Sequence, residues 1–217
     1  MKNINKIAFI GSDRLEIKYS SLKQLKEEVT KRKIKIGNES KFGNYTIIHS
    51  NATIGEKVTF GESVDIGKNV KIGDRTKIGG ESIILDDSTI GEEVVIGKCV
   101  TIEYELKAGN GSRINRNSNI SNNVTIGRDS TIGENVDIGY ETNIGANSTI
   151  GSNSEVSEEV TIGERVIIGE NAEIEYGTKI LDHVNIGKNC IIGTNVIIEE
   201  GINIGDYKII EDNSWLK

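Results

Sequence analysis

The sequence predicts an all-β solenoid, in which very short parallel strands wind into stacked coils behind a small N-terminal α/β segment. Three observations carry this. From Ile36 to Leu216 every residue whose number divides by six is apolar, and 26 of those 31 positions are Ile. The next residue is Gly in 20 of the 30 units that start at Ile36 and end at Ile210. Two places before the following apolar residue the side chain is Ser, Thr, Ala, Val or Cys in 27 of the 30 units, with Leu106, Ile202 and Lys208 as exceptions. A fixed period held over most of a chain marks a repeat architecture and takes precedence over local propensity.

In chain order, residues 1–35 lie outside the repeat and 36–217 form it. Residues 6–10 (KIAFI) read as a strand before the Gly11-Ser12-Asp13 turn, and 15–19 (LEIKY) alternate as a second. Ser21 and Gln24 have capping-box spacing, and Leu22, Leu25 and Val29 share one helical face through residues 23–33. This segment is expected to cap the first coil, whose backbone edge would otherwise stand unpaired.

Within the repeat, counting each sixth residue as position i, positions i+1 to i+3 are expected to make a corner. Position i+3 is Asn in 11 units, Gly in three, Asp in two and His in one, the types that best tolerate positive φ. The residues i+4, i+5 and the next i then alternate inward, outward, inward, as a strand of about three residues. Such a unit cannot bury a face alone, so successive units must stack.

Composition narrows the function classes. The 26 Lys and Arg against 33 Asp and Glu give a net charge of −7, which does not point to nucleic acid. That charge is uneven, because residues 1–36 hold ten Lys or Arg and four acids. No apolar run approaches the roughly 18 residues of a membrane span, and the opening MKNINKIAFIGSDR is too polar for a signal peptide. Cys99, on a corner, and Cys190, at an inward position, do not suggest a disulfide, so a reducing cytoplasmic setting is expected.

Units such as TIGEKV, DIGKNV, TIGENV and NIGKNC resemble the motif of the hexapeptide-repeat, left-handed parallel β-helix family, over roughly five sixths of the chain. The resemblance implies three units per 18-residue triangular coil and about ten coils, roughly 48 Å long at about 4.8 Å per coil. Its left hand runs against the usual right-handed crossover. It also implies a homotrimer that moves an acyl group from a coenzyme A thioester or an acyl carrier protein to an amine or hydroxyl of a small molecule or sugar. Two histidines are too few for a three-His zinc site, so no metal is expected.

Stacking residues every 18 exposes a duplication and an asymmetry. Residues 53–67 return at 125–139, and those from 89 return from 161, both 72 residues or four coils on. Seven of the ten units without Gly at i+1 fall on one corner, at His49, Leu85, Glu103, Ser121, Ser157, Glu175 and Glu211. That edge, with His49, Glu103 and Glu175 as its ionisable representatives, is expected to be an interface or substrate edge; drift of a tolerant turn after duplication is the alternative. The face before it carries Ile47, Ile83, Ile191 and Ile209 outward, which suits contact with another subunit.

Acyl transfer needs a base, and His is the commonest. His183, in LDHVNIG, is similar to the His-Asp-Cys-x-Val-Gly active-site segment of the lipid A acyltransferases, although there the His precedes the core apolar residue by four places and here by three, with Asp182 in the matching slot. His183 is therefore the candidate base, with Arg165 one coil back; as an i+3 residue it also reads simply as a turn residue. His49, in TIIHSNATIG, resembles the stretch that opens the β-helix in sugar and amino-acid acetyltransferases, where this His is not generally the base, so a structural role is expected. Residues 36–216 contain no inserted loop, Pro is absent, and Trp215–Leu216 are expected to lid the last coil. The rival reading is a non-catalytic structural or binding solenoid, stacking its basic end against its acidic one.

Overall fold

The computed structural model describes residues 7–9 and 29–217. Over residues 35–216 the chain is a left-handed, three-sided parallel β-helix, each side one sheet whose strands recur every third unit. The first sheet has 11 strands, running from Thr46–Ile48 to Ile209–Ile210 with Ile7–Phe9 added in parallel beside Thr46–Ile48. The second, also of 11, runs from Lys35–Ile36 to Trp215–Leu216, and the third, of nine, from Thr59–Phe60 to Asn203–Ile204. Residues 29–31 are helical, at the end of the expected helix. The expected strand at 15–19 and most of that helix fall outside the described residues.

The unit around Ile126 shows how six residues close each step. Thr125 N–H donates to Thr142 O at 3.0 Å and Gly127 N–H to Ile144 O at 2.7 Å, both on the following coil, while Asp129 N–H reaches back to Asn110 O at 2.9 Å. Every coil is thus bonded to the next rather than to itself, which satisfies the backbone without helices. The third corner residue is left-handed at every unit from Lys33 to Asn213, Gly or not. Gly127 shows why Gly prevails two places earlier: a Cβ there would lie 2.5 Å from Ala146 N on the next coil.

Most strands have two residues rather than the expected three. At several small inward positions the N–H bonds a Ser or Thr side chain one coil back instead of a backbone carbonyl. Val136 N–H donates to Ser118 Oγ at 3.2 Å, and that hydroxyl donates onward to Gly133 O at 2.9 Å. Columns of Ser and Thr are therefore buried with their bonding satisfied, Ser112 excepted, beside a core of stacked Ile and Val.

The last coil departs from expectation. Trp215 points outward at 59% exposure, donates its Nε1–H to Glu199 and carries Lys217 Nζ over its ring, so it does not cover the core. Only the half-buried Leu216, with Ile202 and Ile210, lies against the core there.

Candidate functional site

The strand Lys179–Ile180 of the second sheet ends in the corner Leu181-Asp182-His183, which stands at the surface. His183 has φ of 61° there, a conformation its slot imposes on every unit. Asp182 is used structurally, since its Oδ1 accepts the Glu164 N–H at 2.8 Å. That leaves His183 as the side chain of the segment facing outward with its ring nitrogens engaged. Its Nδ1 lies 3.2 Å from Glu200 Oε1, and its Nε2 lies 3.0 Å from Arg165 Nη1. Because a guanidinium only donates and a carboxylate only accepts, the partners assign the proton to Nδ1 and the lone pair to Nε2.

This is a carboxylate–imidazole pair with a cation parked on the basic nitrogen. Arg165 and Glu200 stand on the coils before and after His183, so the cluster is a product of stacking rather than of a loop. Displacing Arg165 from Nε2 would expose a lone pair already oriented by Glu200, and would free a guanidinium suited to an anion.

The edge residues share a column but not a cluster. His49, Glu103 and Glu175 each follow a strand of the first sheet, in its second, fifth and ninth positions. His49 Nε2 is 3.2 Å from Asp65 Oδ1, on the neighbouring strand. None of the three meets His183, whose corner follows the second sheet. On that same corner lies a shallow cavity lined by Arg75, Glu92, Glu93, Gly111 and Arg128. Arg75 is held by Glu93 at 2.7 Å and Glu92 at 3.1 Å, and these carboxylates raise the guanidinium above its ordinary range.

Glu200 is the member of the site that sequence reasoning missed. Its signal was available, because it follows His183 by one residue less than a full coil. Among the described residues no group of three or more His, Cys, Asp or Glu is arranged to hold a metal.

Three family models match successive parts of the chain: GMPPB C-terminal domain over residues 41–128, bacterial transferase hexapeptide (six repeats) over 141–176, and hexapeptide repeat of succinyl-transferase over 183–216. No curated protein matches the sequence. Among solved structures, the UDP-N-acetylglucosamine acyltransferase of Arabidopsis is similar at a TM-score of 0.53 and 17% identity, covering 77% of this chain and 62% of that one. The Francisella novicida UDP-N-acetylglucosamine acyltransferase gives 0.41 and 18%, covering 84% and 60%. The chain thus spans about six tenths of the length of these two acyltransferases. The first comparison establishes a likeness of fold.

Proposed function

From the premise that the chain belongs to the hexapeptide-repeat superfamily, we propose that it transfers an acyl group from a coenzyme A thioester to an amine or hydroxyl of a small molecule or sugar, as a homotrimer. The observation that carries this reading is His183 held between Glu200 and Arg165. Nε2 takes the proton from the acceptor as its nitrogen or oxygen attacks the thioester carbonyl, Glu200 holds the Nδ1–H that keeps the ring in that tautomer, and the thiol leaves with a proton. Arg165, displaced from Nε2, binds a phosphate of donor or acceptor. The free thiols of Cys99 and Cys190 suit a reducing cytoplasm.

His183→Ala should keep the fold and lower kcat by about 10²–10⁴-fold, the usual contribution of a general base. Glu200→Gln should lower it less, because it disturbs orientation rather than removing the base. Full activity in His183→Ala would refute the assignment of the base.

One observation favours a second reading, a non-catalytic scaffold. From Thr53–Ile54 to Trp215–Leu216 every strand follows its predecessor at six residues, so no loop is inserted there to build a pocket. A scaffold would show neither a thermal shift with coenzyme A nor turnover; either result removes it.

A further inference from the structure

We infer that the corner following the first sheet binds an extended β-1,4-linked glycan along its length, a role that does not depend on acyl transfer. Three of the chain's six tyrosines fall on this one column, Tyr104, Tyr140 and Tyr176, at equal steps of 36 residues. Each is the middle residue of its corner and is exposed, at 48%, 43% and 40%. Such a step is two coils, or about 10 Å at about 4.8 Å per coil, so the rings form a ladder about 20 Å long. The duplication accounts for only two of them. Tyr104 returns 72 residues on as Tyr176, but the counterpart of Tyr140 in the first half is Lys68. Tyr140 is thus not a copy of its neighbours, yet it stands midway between them and completes one spacing.

Between the rings the surface is low and polar. Asn122 is drawn back to accept the Tyr104 N–H at 3.1 Å, and half-buried Glu158 lies between Tyr140 and Tyr176. Tyr176 is fixed along the edge by donating its hydroxyl to Glu159 on the preceding coil. Apart from the tyrosines, residues 103–105, 121–123, 139–141, 157–159 and 175–177 are all Glu, Ser, Asn or Gly. The edge therefore offers aromatic faces at a fixed step, flanked mainly by hydrogen-bond acceptors. A β-1,4-linked glycan turns each hexopyranose over relative to the last, so it presents the same C–H face at every second sugar, over nearly the length of two coils. Those faces bury against tyrosine rings while the equatorial hydroxyls donate to carboxylates. Other polymers fit less well. A polyproline II segment repeats at about 9.3 Å per turn, but its free backbone carbonyls need donors where this edge supplies mainly acceptors. A nucleic acid would set its phosphates against the carboxylates.

The test titrates the full chain with cellohexaose and with N-acetylchitohexaose in a calorimeter, with no thioester present. The two share the ring step and differ in the group at C2, so the comparison shows which sugar is preferred. Affinity for the preferred series should rise with each added disaccharide from two sugars to six, as one, two and three rings are reached. Tyr140→Ala should weaken the hexaose roughly tenfold, the scale of one lost ring contact, and Tyr140→Phe should bind about as the unaltered protein does. Tyr140→Asn/Glu158→Tyr keeps three tyrosines but moves one by a coil, and it should bind as weakly as Tyr140→Ala. No binding of either hexaose, equal binding of maltohexaose, whose α-linkages coil the chain, or undiminished binding by the shifted variant would each overturn the inference. So would binding of a proline-rich peptide in place of the glycans, or a lower mass in solution for Tyr140→Ala, which would make the edge a contact between copies.

Discussion

At the scale of single residues, the buried hydroxyls show how much depends on one partner. Ser118 Oγ accepts from Val136 N–H and donates to Gly133 O. Ser118→Ala strands both, and should cost about 1–3 kcal/mol in urea unfolding, the usual penalty for an unsatisfied buried group. Ser112 occupies the equivalent inward slot, yet its Oγ is buried without a partner. Ser112→Ala should therefore be neutral or stabilising, and equal losses in the two variants would contradict the account. Tyr176 makes a second residue-level case. Its hydroxyl donates to Glu159, which is the main cause raising the phenol above its ordinary 10. The neutral phenol is the bonded form, so its stabilisation is fully present below pH 10 and is lost as pH rises through the higher folded value. Ultraviolet titration should show one phenol ionising late in the unaltered protein and earlier in Glu159→Gln.

His183 was legible at this scale and Glu200 was not, for a physical reason. The ring's candidacy comes from a short motif in one unit, whereas its partner comes from the next coil and is visible only once the coil length is known. The left-handed corner was half legible in the same way. Asn, Gly and Asp advertise it, but Glu39, Lys57 and Arg75 adopt it too, with φ of 60°, 56° and 58°, because neighbouring coils fix their backbones.

At the scale of the element, the six-residue unit balances volumes as well as bonds. Leu106 is large where the repeat is small, and Ala108, two places on, is small where the repeat is large; both are inward, at 0% and 5% exposure. This exchange of sizes keeps the layer filled. Ala108→Ile alone should overpack it by about 1–3 kcal/mol, and Leu106→Ala alone should cost about 2–5 kcal/mol as a cavity. The double variant should cost less than their sum, because the two sites share one volume. Simple additivity in denaturant unfolding would count against shared packing. The period, corner and inward pattern could all be read from sequence. Strand length could not, because the bonding of the inward N–H depends on the residue 18 places back, a hydroxyl at Ser118 for Val136 but Leu106 for Val124, while the strands that follow both have two residues.

At the scale of the whole molecule, each coil bonds only to its neighbours, so the prism is rigid along its length and offers long edges rather than deep clefts. On such a body a catalytic cleft is most readily made between prisms, and the proposed trimer supplies it. Its mass in solution should be three times the 23.7 kDa of the chain, and sedimentation at the monomer mass would remove the shared cleft. The central claim, acyl transfer through His183, is tested most directly by following thiol release from acetyl-coenzyme A or a longer acyl-coenzyme A with a panel of amino sugars and amines. The account predicts release that requires both protein and acceptor and that disappears in folded His183→Ala. Acceptor-dependent release that survives in that variant, or none from the trimer with any donor and acceptor, would contradict it.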